Sequence, residues 1–165
     1  LRWTVRTPPG ATNALSHRRP VPQTRCSMAK ILVPIDFSDL SREALTRADG
    51  LASEDGELHL MFVQSSTQIS FMDFSYATPP DILAEAVDKA RAKLDEWADA
   101  LDTPKERITC EVRIGDTVDE LVGASKDCDL VVISTHGRRG LGHALLGSVT
   151  ERLVQRAACS VLVVR

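Results

Sequence analysis

The chain has 165 residues, of which 43% are hydrophobic and 26% are charged, and a formal net charge of −3. This length suits a single domain that buries its core without disulfides or metals, and no apolar run reaches the ~20 residues needed to cross a bilayer. The charge is uneven: residues 28–165 hold 15 basic and 23 acidic residues and carry −8. This balance argues against a general nucleic-acid binder, which needs a concentrated basic face.

Residues 1–27 differ from the remainder in composition. They hold five arginines, no acidic residue and four of the eight prolines, without a sustained apolar period. Such a segment is expected to be disordered or loosely attached. Three interpretations compete: a transit peptide, a nucleic-acid-binding arm, or upstream sequence read into the product. We favour the third, with a natural start at Met28, because the folded pattern begins directly after it.

The first half of the domain predicts two strands and two helices. "KILVPID" (30–36) is a buried strand, and the helical spacing that follows it begins with Ser38 as a cap. "ELHLMFV" (57–63) is a second strand, apolar on both faces. A long polar loop is predicted over 64–78, followed by a helix of about twenty residues that is opened by Thr78-Pro79-Pro80-Asp81, with Thr78 as its cap.

The second half continues the alternation and predicts a capping box of Thr117 and Glu120. The remaining elements are a strand at 106–115, a helix at 117–126, a strand at 129–134, a helix at 147–157 and a strand at 159–165. Connections this long predict an α/β, Rossmann-like fold with a parallel sheet and helices on both faces. Ligands in such folds bind beyond the carboxyl ends of strands, where the strand order reverses.

Four cysteines are widely separated and form no CxxC pair. Buried, unpaired thiols are expected at Cys110, Cys128 and Cys159. Together with the lack of an apolar leader, they favour a reducing, cytoplasmic location.

A glycine-rich stretch, "STHGRRGLGHALLGSVTERL" (134–153), follows the fourth predicted strand. Glycines between a strand and a helix let the backbone approach a ligand, and the helix adds free N–H groups and a positive dipole end. Such a loop favours a phosphate. A second interpretation stays open, since Ser148 and Glu151 have the spacing of a capping box that needs no ligand. The stretch is not a Walker A loop.

"ILVPIDFS" in the first strand and "DLVVISTHGRRGLGHALLGSVTERLVQRAACSVLVVR" at the end closely resemble the universal stress protein family. The ATP-binding branch of that family has Gly, two residues, Gly, nine residues, Gly, then Ser or Thr. This sequence matches the spacing with Gly137, Gly147 and Ser148. Ser134 stands where the pattern has its first glycine, and it would obstruct only if the backbone there required a positive φ.

The resemblance implies ATP as ligand, with Mg²⁺ bound through the phosphates and no protein metal site. Pro34 and Asp36 would border adenosine, Val63 would contact adenine, and Ile133 would pack by the base. The remaining contacts, to ribose and phosphates, would come from Ser134, Gly137, Gly147, Ser148 and Val149. From the residues alone, Asp36 could instead order its loop or cap the next helix, and Pro34 and Val63 could simply pack.

The family fold implies a five-stranded parallel sheet in the order 3-2-1-4-5 and a homodimer. A short apolar last strand also favours a dimer, because an open sheet edge can pair with a second copy. The expected interface is formed by Val161, Leu162, Val163 and Val164. Packing within one subunit is the alternative.

No convincing catalytic set is present, since neither His136 nor His143 has an orienting carboxylate nearby in sequence. The sequence therefore predicts an ATP-binding sensor or regulator of a stress response that acts through an unidentified protein partner. One alternative is a dimeric interaction protein that binds no nucleotide. The other is a slow ATP hydrolase.

Overall fold

The computed structural model describes residues 30–52, 54–65, 80–136 and 146–165. Strands and helices alternate along it, as the sequence predicts. The strands are β1 (Lys30–Ile35), β2 (Glu57–Ser65), β3 (Ile108–Gly115), β4 (Leu130–Ser134) and β5 (Ser160–Val164). The helices are α1 (Asp39–Leu51), α2 (Pro80–Ala98), α3 (Thr117–Ala124) and α4 (Ser148–Arg156).

The five strands form one parallel sheet in the order β3-β2-β1-β4-β5. This confirms the predicted α/β class and the predicted 3-2-1-4-5 order. The central strands read as continuous apolar runs because both of their faces are covered, which parallel sheets require. All of β1 after Lys30 and all of β4 are buried.

Each face of the sheet has its own core. α1 and α2 cover the first face, where Leu94 and Trp97 of α2 pack beside the α1 residues Ala44, Leu45 and Ala48. On the second face, Leu121 of α3 and Leu153 of α4 pack against Leu32, Met61, Val131 and Ile133. The chain therefore places α1 and α4, the helices that follow β1 and β4, on opposite sides of the sheet.

Two element boundaries differ from the prediction. β2 continues through Gln64 and Ser65, which pair with the end of β3, although both were expected in the loop. Backbone pairing with the edge strand β3 keeps these two residues in the strand despite their polar side chains. β3 begins at Ile108 and not at Glu106, because residues 105–107 form a 3-10 turn. The predicted loop over 66–78 and the extension 1–27 lie outside the described residues.

Helix capping follows the sequence at α1 and departs from it at α3. Ser38 caps α1, as expected, through its Oγ, which accepts the N–H of Ser41 at 3.2 Å. The predicted Thr117–Glu120 capping box is wrong. Asp116 is the cap of α3, and its Oδ1 accepts the N–H groups of the second and third helical residues at 3.0 and 3.1 Å. The carboxylate of Asp116, one residue before Thr117, accepts from these donors in place of the Thr117 hydroxyl.

A charged network lies on the second face beside β3. His59 is 7% exposed, and its Nε2 lies 2.8 Å from Oε2 of Glu111. Arg113 holds the same carboxylate with Nε at 2.7 Å and also reaches Glu120 at 3.2 Å. Burial lowers the pKa of His59 from its ordinary value, outweighing the opposite effect of Glu111. His59 is therefore neutral at pH 7, and because an ionised Glu111 only accepts, Nε2 carries the proton.

Stability is expected to fall as the pH is lowered from about 7.5 to 5.5. The unfolded His59 takes up a proton near its ordinary pKa, whereas the folded one resists protonation, so stability present above that pKa is lost as the pH falls. The slope should stay below ~1.4 kcal/mol per pH unit, the limit for one proton. Urea unfolding at each pH measures it. His59→Gln keeps an N–H donor without titrating, and an equal slope in this variant would contradict the assignment.

Candidate functional site

β1 and β4 are the neighbouring strands at which the strand order reverses, and in α/β folds the ligand crevice lies beyond the carboxyl ends of such strands. The two strands pair only at Ile31 with Leu130 and at Leu32 with Val131, although both continue further. The Lys30 carbonyl accepts the N–H of Asp129, so by strand alternation Leu32 and Pro34 also face β4, and the N–H that proline lacks is missing on that side. The loss of this ladder bond, with α1 and α4 leaving to opposite faces, makes the switch point where α/β folds bind ligands.

The turn after β1 forms one wall of the crevice. Oδ1 of Asp36 accepts the N–H of Ser38 at 3.0 Å and its hydroxyl at 2.6 Å. Asp36 therefore has the loop-ordering role that the sequence also allowed.

Phe37 lies between Asp36 and Ser38 and has a φ of 63°. This is the left-handed region of the backbone, which a bulky side chain seldom adopts. Packing holds it there: its ring centroid lies 5.0 Å from that of Phe62 and 5.5 Å from that of Trp97. Nζ of Lys93 lies 4.8 Å from the centre of the Phe37 ring. This aromatic cluster, Phe37, Phe62 and Trp97, connects the turn after β1 with α2. The sequence carried no signal for the unusual backbone at this position.

The exit from β4 forms the opposite wall. Ser134 and Thr135 are both buried, and the hydroxyl of Ser134 donates to the carbonyl of His136 at 3.0 Å. Among the described residues only Phe37 has a positive φ outside glycine, so Ser134 fits the motif's glycine position without backbone strain. The N–H of Thr135 donates to the Val164 carbonyl at 2.8 Å, which ties this exit to β5.

Two hydrogen bonds fasten the start of α4 to the exit from β4. The N–H of Gly147 donates to the Thr135 carbonyl at 2.7 Å, and the hydroxyl of Thr150 donates to the Ser134 carbonyl at 2.9 Å. A Cβ on Gly147 would lie 3.2 Å from the Thr135 oxygen, while its φ of −69° is ordinary. A side chain here would press on the Thr135 carbonyl, so glycine suits this close backbone approach. Sequence reasoning missed the role of Thr150, which helical periodicity could have indicated as a buried position.

The predicted capping box at Ser148 and Glu151 is wrong. Gly147 is the cap residue, without a side-chain bond, and Ser148 is already the first helical residue. Thr150 uses its hydroxyl on Ser134. Within the part of the chain that the structure describes, no acceptor meets the N–H groups of Ser148, Val149 and Thr150. Free N–H groups at the start of a helix are the donors that anions bind, and the helix dipole favours the same charge.

The structure places eight of the nine predicted ligand residues around this crevice. Asp36 follows β1, and Val63 is one step beyond the paired residues Ile35 and Phe62. Val63 and Val149 both pack against the core cluster that contains Ile133. Pro34, Ser134, Gly147 and Ser148 lie in the walls already described, while Gly137 lies outside the described residues. In those residues no group of three or more His, Cys, Asp or Glu could hold a metal ion.

Thr150→Val should lower the free energy of unfolding by about 1 kcal/mol, because it removes the hydrogen bond to the Ser134 carbonyl and keeps the side-chain volume. Thr150→Ser keeps the hydroxyl and is the matched control. Urea unfolding of both variants measures the difference. Because serine also loses a buried methyl group worth about 0.8 kcal/mol, both variants are compared with the wild type, and a valine variant as stable as the wild type would contradict the role assigned to this bond.

No helix in the described residues is long and apolar enough to cross a membrane. Among solved structures, hypothetical protein MJ0577 has a TM-score of 0.72 and 26% sequence identity, covering 84% of this chain and 96% of its own. The universal stress protein UspA from Lactobacillus plantarum has a TM-score of 0.63 and 26% identity, covering 84% and 98%.

The sequence comparisons agree with the fold. Universal stress protein MJ0531 from Methanocaldococcus jannaschii is 33% identical over 145 residues, which are 82% of this chain and 81% of that protein. The sequence pattern of the universal stress protein family matches residues 28–165, the whole acidic part of the chain. The chain therefore belongs to the universal stress protein family.

Proposed function

We propose that this domain binds ATP, with Mg²⁺ carried on the phosphates, in the crevice between the carboxyl ends of β1 and β4. The observation that carries the proposal is the start of α4, where three N–H groups lack an acceptor among the described residues and no side chain caps the helix. A ligand-free role would favour a capping side chain here. The glycine spacing around this helix, shared with the ATP-binding branch of the family, supports the same ligand.

The phosphates are assigned to the start of α4. The N–H groups of Ser148, Val149 and Thr150 and the exposed hydroxyl of Ser148 are donors of the kind that hold phosphate oxygens at helix ends. The N–H of Gly147 already donates to Thr135, so Gly147 contributes close packing and not a donor. Ser134 and Gly137 complete the proposed phosphate loop on the basis of the family pattern.

The adenosine is assigned to the region between β1, β2 and β4. Val63, Ile133 and Val149 supply apolar surface on one face of the sheet, and apolar side chains of this kind suit a base. Pro34 borders the crevice where the ladder between β1 and β4 ends. Asp36 is proposed to accept a hydrogen bond from a ribose hydroxyl, since a carboxylate can accept several bonds at once.

We propose that the protein is a sensor or regulator in the stress response. The signal is then the binding of the nucleotide and not its hydrolysis. The described residues supply hydrogen-bond donors and apolar surface around the crevice, as binding requires, and no group that would activate a water is assigned. A protein partner would then read the nucleotide-bound surface near α4. Slow hydrolysis remains the competing enzyme hypothesis, and ADP formed from Mg-ATP during prolonged incubation would favour it.

Ser148→Asp should weaken Mg-ATP binding at least tenfold while keeping the fold. A carboxylate in the first helical turn is favourable to the helix dipole but repels phosphate. Ser148→Asn is the matched neutral control. Isothermal titration of wild type and both variants, with thermal unfolding of each, separates binding from folding. Gly147→Val is less suitable, because its side chain would collide with the Thr135 carbonyl.

Two outcomes would overturn the nucleotide proposal. One is a folded wild-type protein that neither carries adenine nucleotide after purification nor binds added Mg-ATP, which would favour an interaction protein without nucleotide. The other is unchanged ATP affinity in Ser148→Asp, which would move the phosphates away from α4.

A homodimer through β5 is also proposed. Within the described sheet β5 pairs with β4 alone, which leaves its other edge open. Val161 and Val163 pack against the core of the second face and Val164 against that of the first, whereas Leu162 is 39% exposed. The backbone edge of 161–164 and the Leu162 side chain are thus the proposed contact. The valine side chains pack mainly within their own subunit.

Leu162→Lys should convert the dimer to monomer, because a charge on a short edge strand opposes pairing with a second copy. Ile114→Lys is the control, since Ile114 is a similarly exposed aliphatic residue on the opposite edge strand, β3. Size-exclusion chromatography with light scattering measures the mass. A monomeric wild type, or dissociation by Ile114→Lys alone, would contradict an interface at β5.

A further inference from the structure

Two cysteines lie beside each other at the amino ends of β4 and β5. Cys128 precedes β4 and Cys159 precedes β5, and the register pairs Leu130 with Ser160. Continued by one residue, this register puts Cys159 opposite the residue after Cys128. A disulfide needs α-carbons about 4.4 to 6.8 Å apart, and these two cysteines lie just before adjacent, hydrogen-bonded strands, whose axes are about 4.8 Å apart.

The side chains point to the same face. Both thiols pack against the core cluster of the second face, so their Cβ vectors do not diverge across the sheet. Sγ of Cys128 lies 3.4 Å from the carbonyl of Ala124. The turns that carry the two cysteines are also fastened together, because the N–H of Ala158 donates to Oγ of Ser125 at 3.0 Å.

Cys110 has a different environment. It lies in β3, three strands away from β4, and packs on the first face. All three described cysteines are free and half-buried. Cys110 is therefore an internal control for thiol reactivity without a neighbouring cysteine.

We propose that Cys128 and Cys159 are a redox modification site, which a hydroperoxide converts into a reversible intrachain disulfide. This site lies at the amino ends of the strands and is independent of the crevice proposed for ATP. The bond would close a loop from 128 to 159 that contains β4 and α4. Cysteines that are free under reducing conditions thus become a covalent connection between neighbouring strands during oxidation.

The oxidation proceeds in two balanced steps. One thiol loses its proton, and the thiolate attacks a peroxide oxygen to give a sulfenic acid, with the other oxygen leaving as water or alcohol. The second thiol then attacks the sulfenic sulfur, the S–S bond forms, and the hydroxyl leaves as water. In total two thiols lose two hydrogens and two electrons, and one hydroperoxide is reduced.

The surroundings predict a slow, pH-dependent reaction. Burial raises the pKa of Cys128 to about 11, with further contributions from Cys159, Asp127 and Asp129, while Lys30 acts in the opposite direction. Burial and Asp129 also raise the pKa of Cys159. Because the thiolate is the nucleophile, the rate should rise several-fold per pH unit between about pH 7 and pH 9.

The full chain is treated with hydrogen peroxide, alkylated and digested with trypsin. Each of the four cysteines falls in its own tryptic peptide: 26–30 for Cys26, 108–113 for Cys110, 127–138 for Cys128 and 157–165 for Cys159. The expected product joins 127–138 to 157–165, is lighter than their sum by two hydrogen atoms, and is lost after dithiothreitol. The oxidised protein should also melt several degrees higher, since the bond constrains the unfolded chain.

Variants separate the pair from general thiol oxidation. Cys110→Ser should still form the bridged peptide, whereas Cys128→Ser and Cys159→Ser should not. Intact alkylated thiols at both positions after several hours at pH 9 would overturn the proposal. So would separate sulfinic or sulfonic acids on the two cysteines, a bridge to Cys26 or Cys110, or a disulfide between two chains on a non-reducing gel. Mass analysis of the wild type gives this answer even if a variant misfolds.

Discussion

The early end of pairing between β1 and β4 is the constraint on which the carboxyl end of the sheet depends. Two neighbouring central strands keep their backbone register only through Leu32 and Val131. Proline at position 34 cannot supply the next donor on that side, and β2 continues to hold β1 in place. β1 and β4 therefore stay buried beyond their last paired residues, without the backbone hydrogen bond that Pro34 cannot donate.

The two walls of that crevice use different means to keep their shape. The β1 side is ordered by Asp36 and Ser38, whose side chains satisfy backbone donors locally. On the β4 side, Gly147 and Thr150 satisfy the carbonyls of Thr135 and Ser134. Thr150, in the first turn of α4, thus uses its hydroxyl to bind the sheet. The N–H groups at the start of the helix have no acceptor among the described residues. A spacing that suggests a self-sufficient helix cap in the sequence is therefore a contact between helix and sheet in three dimensions.

The sequence was sufficient for the fold because the strands are short apolar runs and the helices between them have clear 3.6-residue spacing. The capping boxes at Thr117 and Ser148 were wrong for one reason. Spacing identifies a residue able to cap, but the backbone path decides which of two neighbouring residues does so, and at α3 that residue was Asp116. The left-handed Phe37 was also beyond sequence reasoning, since only tertiary packing against Phe62 and Trp97 sustains it.

Phe37 places two incompatible demands on one position. Its backbone torsion suits glycine or asparagine, which tolerate a positive φ, whereas the space between Phe62 and Trp97 suits a large aromatic ring. No ordinary residue satisfies both, so each replacement relieves one cost and creates another. Few substitutions are therefore tolerated at this position. The turn that carries Asp36 depends on the packing of α2 against the aromatic cluster.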